Sequence, residues 1–312
     1  MASSREILET GRTVCRGVSF MSDWGSDPEA RRRLQRLVFR CASDYLLDEM
    51  GLLTGRHDGD VIRAVVHLAL VQASADPGRG ISIRALARSL NLPFETVRRK
   101  VRELEDNGLC VAAADGRPIA APLDAAQARA EAVRVGDGFA LLLGKLAALG
   151  VGATTFHGGQ VAPAAADQEQ ARLDAHRLIH NYFLRTLEAG VGPHETMFNA
   201  LIFAAAMSAN AERITYDPDL AMRYAAADTP PPDGLRRPAR PREIAERLNL
   251  PYEVVRRRLV EFHQRGWVAK VGSGYICTVE RMQQPELLAG AYMIVQRLGQ
   301  LVQAVAQTGL IV

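Results

Sequence analysis

Residues 84–110 read RALARSLNLPFETVRRKVRELEDNGLC, and residues 242–268 read REIAERLNLPYEVVRRRLVEFHQRGWV, a second copy displaced by 158 positions. The two align without a gap, and 12 of 27 positions are identical: Arg84, Ala87, Leu90, Asn91, Leu92, Pro93, Glu95, Val97, Arg98, Arg99, Glu103 and Gly108 match Arg242, Ala245, Leu248, Asn249, Leu250, Pro251, Glu253, Val255, Arg256, Arg257, Glu261 and Gly266. Phe94 with Tyr252, Lys100 with Arg258 and Leu104 with Phe262 are conservative replacements. Self-similarity of this length predicts one supersecondary unit built twice.

The hydrophobic period says which unit. Ile83, Leu86, Ala87 and Leu90 recur at helical spacing, so a short helix with one buried face is expected, and Asn91-Leu92 supplies a turn. Pro93 suits the first position of the next helix, where its missing N–H is not needed. At about 100° per residue, Val97, Val101 and Leu104 fall within about 40° of one another and form an inward stripe. Glu95, Arg98, Arg99 and Arg102 then point outward. Val255, Leu259 and Phe262 form the same stripe in the second copy, with Glu253, Arg256 and Arg257 outside. Gly108 and Gly266 stand where a left-handed cap ends each helix. Short strand pairs follow, Leu109 to Ala113 with Arg117 to Ala120 around Asp115-Gly116, and Trp267 to Val271 with Tyr275 to Val279 around Gly272-Ser273-Gly274, both hairpin turn sequences.

Weaker similarity extends outward. Asp60 to Ser74 corresponds to Thr196 to Asn210, Tyr45-Leu46-Leu47 to Tyr182-Phe183-Leu184, and Phe139 to Gly150 to Tyr292 to Val302 in pattern. The predicted organisation is a tail at 1–27, a first half at 28–150 with its repeated module at 58–121, a linker at 151–166, and a second half at 167–312. The second module spans 194–280 and carries an extended insertion at 216–241, where Thr229 to Gly234 (TPPPDG) cannot be helix interior. Helices at Pro28 to Leu53, Ala132 to Leu149, Ala165 to Ala189 and Pro285 to Thr308 are the expected packing surface between halves.

Composition agrees with a mainly α protein. Of 312 residues 48% are hydrophobic but only 6% aromatic, which favours helices packed through small and aliphatic side chains. Cys15, Cys41, Cys110 and Cys277 lack zinc-ligand spacing and read as free thiols; Met1 to Arg16 has no apolar stretch of signal-peptide length, and Val61 to Val71 and Phe198 to Met207 are far short of a membrane span, so a cytoplasmic, nucleoid-associated protein is expected. The net charge of +3 hides an uneven distribution. Arg79 to Arg117 carries net +3 and Arg236 to Arg281 net +6, leaving −6 for the rest, which points to a polyanionic partner.

Helix, helix, turn, helix, hairpin is the order of a winged helix-turn-helix. The strings LPFETVRRKVRELEDNGL (92–109) and LPYEVVRRRLVEFHQRGW (250–267) resemble the recognition helices of bacterial winged helix regulators of the IclR, GntR and DeoR kinds. The resemblance covers about 60 residues per half and implies a mainly α, internally duplicated fold, with two winged helix-turn-helix modules, each with a small β-hairpin wing, packed through flanking helices. A recognition helix enters the major groove by its N-terminal half, which makes Glu95, Thr96 and Arg99, with Glu253, Val254 and Arg257, the base-reading candidates. Arg98, Lys100, Arg102, Arg256 and Arg258 are the phosphate candidates, Arg117 and Lys270 on the hairpins are placed for the backbone or minor groove, and Arg84, Arg242 and Ser273 complete the expected DNA-binding set.

The bland counterpart is that Glu95 and Glu253 sit in a first helical turn, where the dipole favours a carboxylate that also pairs with an Arg four residues on. His176 and His180, four apart, lack a third ligand at a convincing position, so no metal site is expected. No catalytic constellation stands out, and neither an enzyme nor a cofactor is expected. The reading is a sequence-specific double-stranded DNA-binding transcription regulator, a pseudo-dimer in one chain, more a repressor than a dedicated activator. A plasmid-type replication initiator or partition protein and a tandem winged-helix protein-interaction scaffold are the alternatives. A small-molecule effector of unspecified kind, near Trp24, Tyr45, Tyr182 or Phe183, and a second copy of the chain are further partners to consider.

Overall fold

The computed structural model describes residues 28–74, 80–157 and 161–310; the expected tail at 1–27, with Cys15 and Trp24, lies outside the described residues. Among these the chain is mainly helical with two small antiparallel hairpins. The first half contains α1 (Pro28–Gly55), α2 (Val61–Ala73), α3 (Ile83–Ser89), α4 (Phe94–Asp106), β1 (Cys110–Ala112), β2 (Pro118–Ala120) and α5 (Ala125–Ala148). After α6 (Thr154–His157) the second half contains α7 (Gln168–His194), α8 (Met197–Tyr216), α9 (Pro218–Arg223), α10 (Pro241–Leu248), α11 (Tyr252–Gln264), β3 (Ala269–Val271), β4 (Gly274–Ile276), α12 (Val279–Met282) and α13 (Pro285–Ala306).

Local chemistry places the helix ends. Asp60 accepts from the Arg63 N–H to cap α2, Ser82 from Ala85 to cap α3, and Thr196 from Asn199 to cap α8, each satisfying an otherwise orphaned donor. Asn91 and Asn249 both adopt left-handed backbone, φ 50° and 51°, and Gly108 and Gly266 do so at 70° and 71°. The left-handed turn and stop residues of the two copies therefore coincide, although α10 runs one residue further than α3. Pro93 and Pro251 each stand one residue before their helix, as its N-cap, and not at its first position as expected. In the hairpins Cys110 pairs with Ala120 and Ala269 with Ile276. A third backbone segment joins each: Ile81 donates to the Pro118 carbonyl at 3.2 Å, and Ala239 and Tyr275 exchange two bonds of 2.9 Å.

The two halves interlock. From the first half α1 packs on α8, α10 and α13 of the second, while α7 from the second packs on α2 and α5 of the first. One continuous apolar core results, running from Leu37, Leu47 and Met50 through Phe139 and Phe183 to Phe203 and Phe262. The insertion is not simply extended: Tyr216 closes α8, α9 follows, and the chain then folds onto α1. Arg36 and Leu37 donate backbone N–H groups to the Ala225 carbonyl, and the Arg40 guanidinium to those of Tyr224 (2.9 Å) and Ala221 (3.2 Å). The linker is also anchored, with Phe156 buried and Gln303 donating to its carbonyl at 2.8 Å. Cys41, Cys110 and Cys277 are buried and unbridged, and no described helix is long and apolar enough to cross a membrane.

Candidate nucleic-acid interface

The site is built on α4 and α11. Val97, Val101 and Leu104 are buried beneath α4, and Val255, Leu259 and Phe262 beneath α11, which fixes the rotation of each helix. The opposite sides face solvent. Glu95, Arg99 and Arg102 are exposed on α4 with Arg98 half-exposed, and Glu253, Arg256 and Arg257 are exposed on α11. Thr96 and Val254 are half-buried at the edge of each stripe.

The exposed charges are only lightly committed. Arg98 pairs with Glu95 at 2.6 Å and Arg256 with Glu253 at 2.9 Å, so each first-turn carboxylate engages the Arg three residues on, not four as expected. Arg99 reaches Glu103 at 3.7 Å, and Arg258 reaches Glu261 at 2.6 Å. Exposed pairs of this kind are worth about 0–1 kcal/mol, so a phosphate or base can replace the carboxylate at little cost. Arg102 and Arg257 have no ion-pair partner among the described residues. Glu253 raises the pKa of Arg256 through its hydrogen bond and its charge, keeping that guanidinium fully cationic.

Lys100 does not belong to this surface. It is only 9% exposed, and its ammonium sits 2.5 Å from Asp60 and 2.7 Å from Glu103. Asp60 is also the cap of α2, so Lys100 ties α4 to α2 and is unavailable to a phosphate. Burial raises the Asp60 pKa, but hydrogen bonds from Lys100 and the Arg63 N–H, with the charges of both residues, more than reverse this and hold it low. At the matching place in the second copy Arg258 lies 5.8 Å over the Phe198 ring.

Arg84 and Arg242 are exposed on α3 and α10, the latter 3.7 Å from Glu246. Arg117 is exposed beside Asp115, and Lys270 and Ser273 are exposed on the second hairpin. One cation escaped the sequence argument: Arg88, exposed beside Arg84 on the rim of an open recess with Asn91 and Phe94. Its counterpart is Glu246, so the repeat concealed it.

Contrary to expectation His176 and His180 do have a third candidate ligand, because α5 brings Glu131 to them with all three ligand atoms within 4.8 Å of one another. That carboxylate is already spent: Arg56 donates to both oxygens at 3.0 Å, and Arg134 to them at 2.8 and 3.2 Å. Burial, reinforced by the neighbouring His176, pushes His180 down to about 3. Comparison with protein-family models, with curated proteins and with solved structures yields no match.

Proposed function

We propose that the protein is a sequence-specific double-stranded DNA-binding transcription regulator that carries two winged helix-turn-helix modules in one chain, with α4 and α11 as recognition helices. The observation that carries this reading is the pairing of those helices. They share length, left-handed turn and buried stripe at a constant displacement of 158 residues, and both turn their arginines to solvent. A solvated cationic helix ahead of a β-hairpin is the geometry by which this class of module enters a major groove while basic residues meet phosphates.

Arg99 and Arg257, one helical turn into each helix, are assigned to base edges, where Arg bonds guanine in bidentate fashion. Arg98, Arg102, Arg256 and Arg258 are assigned to phosphates. Thr96 against Val254 and Arg102 against Val260 make the two reading surfaces unequal, so the operator has two dissimilar half-sites. The direct test is fluorescence anisotropy with random and genomic duplexes over a salt series, on wild type and the Arg99→Ala, Arg257→Ala double variant. Salt-dependent binding that weakens and loses sequence preference in the variant supports the assignment.

A protein-interaction scaffold is favoured by one feature, the exposed aromatic residues that open both helices, Phe94 at 40% and Tyr252 at 47%. It predicts no affinity for duplex DNA even at low salt.

A further inference from the structure

Four of the long helices, α1, α7, α8 and α13, do not close completely against one another. Between them lies a cavity with about 960 Å³ of unfilled space, mouth included, of which about 100 Å³ admits water-sized molecules. Its walls are apolar: Phe39 from α1, Leu201, Phe203 and Met207 from α8, Leu287 and Ile294 from α13. Concave apolar sites with a few placed polar groups are how folds hold small ligands, and this one has room for a single ring or a short branched chain.

Five polar side chains line it, Gln35, Arg36, Ser43, Thr186 and His194, and two of them bear on a ligand. Arg36 is the single charged side chain on the described lining. Its Nε donates to the Ala227 carbonyl at 3.0 Å, and its terminal nitrogens have no hydrogen-bond partner among the described residues. Burial, then the charge of the nearby Arg236, lowers its pKa, with Asp228 opposing. His194 is 6% exposed and its Nδ1 is buried with no partner. Such orphaned polar atoms are rare in folded chains. Burial, aided by Arg281, pushes His194 down to about 4, so at neutral pH the ring presents no charge.

We propose that this cavity binds a small monocarboxylate with an apolar body, its anionic head on Arg36 and its body against Phe203 and His194. Resting on the DNA-binding reading above, the occupant also alters the affinity of the second recognition helix. The route is one of contact. The His194 ring stands 4.5 Å from that of Phe203 and 5.5 Å from that of Trp267, and Trp267 stands 4.9 Å from Phe262 in the last turn of α11. A ligand that repositions His194 therefore bears on the residues that seat α11 and its hairpin. Beside α4 the described recess at Asn91 is open to solvent.

The test uses the full chain with Trp24→Phe, leaving Trp267 as the sole indole, titrated by fluorescence without DNA. Phenylacetate and hexanoate are the probes, with phenylacetamide and hexanol as neutral matches. Saturable signals for the carboxylates, about tenfold tighter than for their neutral matches, are expected from a charge-assisted head group. Arg36→Gln reduces the carboxylates to the neutral level, and Ala291→Phe, which fills the cavity, removes both signals while the thermal midpoint holds. Absence of a saturable carboxylate signal, equal binding of the neutral matches, or unchanged binding in Ala291→Phe overturns the site. Duplex binding by anisotropy with and without each carboxylate reads the coupling, and carboxylate binding with no change in duplex affinity overturns the coupling alone. A protein that binds the carboxylate but no duplex DNA contradicts the regulator reading and not the site.

Discussion

The side-chain amide of Asn249 donates to the Gly51 carbonyl oxygen at 2.9 Å, joining the turn of the second module to the leading helix of the first half. Around it Arg247 reaches Asp48 at 2.9 Å and Asp44 at 3.2 Å. Asn91, its partner in the repeat, is exposed beside an open recess. The same turn is thus clamped in one copy and bare in the other.

That clamp depends on close approach. A Cβ on Gly51 would lie 2.1 Å from the Arg247 carbonyl oxygen, so Gly51→Ala must push α1 off α10. We expect a loss of at least about 2 kcal/mol in urea unfolding, in the range of overpacked cores. Gly144→Ala is the control: it lies in α5, a Cβ there meets nothing within 4 Å, and it should stabilise by about 0.5–1 kcal/mol.

Lys100 and Arg99 are neighbours in opposite surroundings, one buried between two carboxylates and the other exposed. Lys100→Ala leaves Asp60 and Glu103 facing each other without their cation and should cost about 1–2 kcal/mol, a buried-pair penalty discounted for the partial exposure of both carboxylates. Arg99→Ala should leave the unfolding midpoint unchanged and weaken operator binding by about tenfold or more. Equal effects on stability would undo the distinction.

Acid should unfold the protein early. Burial, with nearby positive charge, lowers His57 to about 4, His194 to about 4 and His180 to about 3, from 6.5. Between those values and 6.5 the unfolded chain binds more protons than the folded one, so stability is full above 6.5 and declines as pH falls toward 4. Urea midpoints taken from about pH 7.5 to about pH 4.5 should fall steadily, and less steeply in His180→Asn. A flat profile would show that these rings do not stay neutral in the folded state.

What the sequence revealed follows from what periodicity encodes. Val97, Val101 and Leu104 declared which side of α4 is inside, and Asn91 with Gly108 marked its limits, because each is a local rule acting within one helix. Lys100 misled, since its partner Asp60 lies on another element and no spacing rule connects them. Glu131 beside His180, and α1 across α10, were hidden likewise: helix docking depends on shapes that only the assembled core defines. The insertion's proline run carries no α-helix, though a 3-10 turn at Asp233–Leu235 overlaps its end, and it did not foretell that Arg40 would bind the Ala221 and Tyr224 carbonyls.

α4 and α11 are unequal at Arg102 and Val260. Arg102→Val gives α4 the residue that α11 carries as Val260. It should weaken binding to all duplexes nearly alike and lower the logarithmic salt slope by about 1, the signature of one lost phosphate contact. An altered base preference without a change of slope would move Arg102 to the base-reading group.

The central claim is that two equivalent arginine-bearing helices read DNA together. A genome-wide footprint of wild type beside the Arg99→Ala, Arg257→Ala variant tests it most directly. Discrete wild-type sites, each covering two dissimilar half-sites and lost in a variant that still folds, are the predicted result. Identical sites in both proteins, or no sites in either, would contradict it.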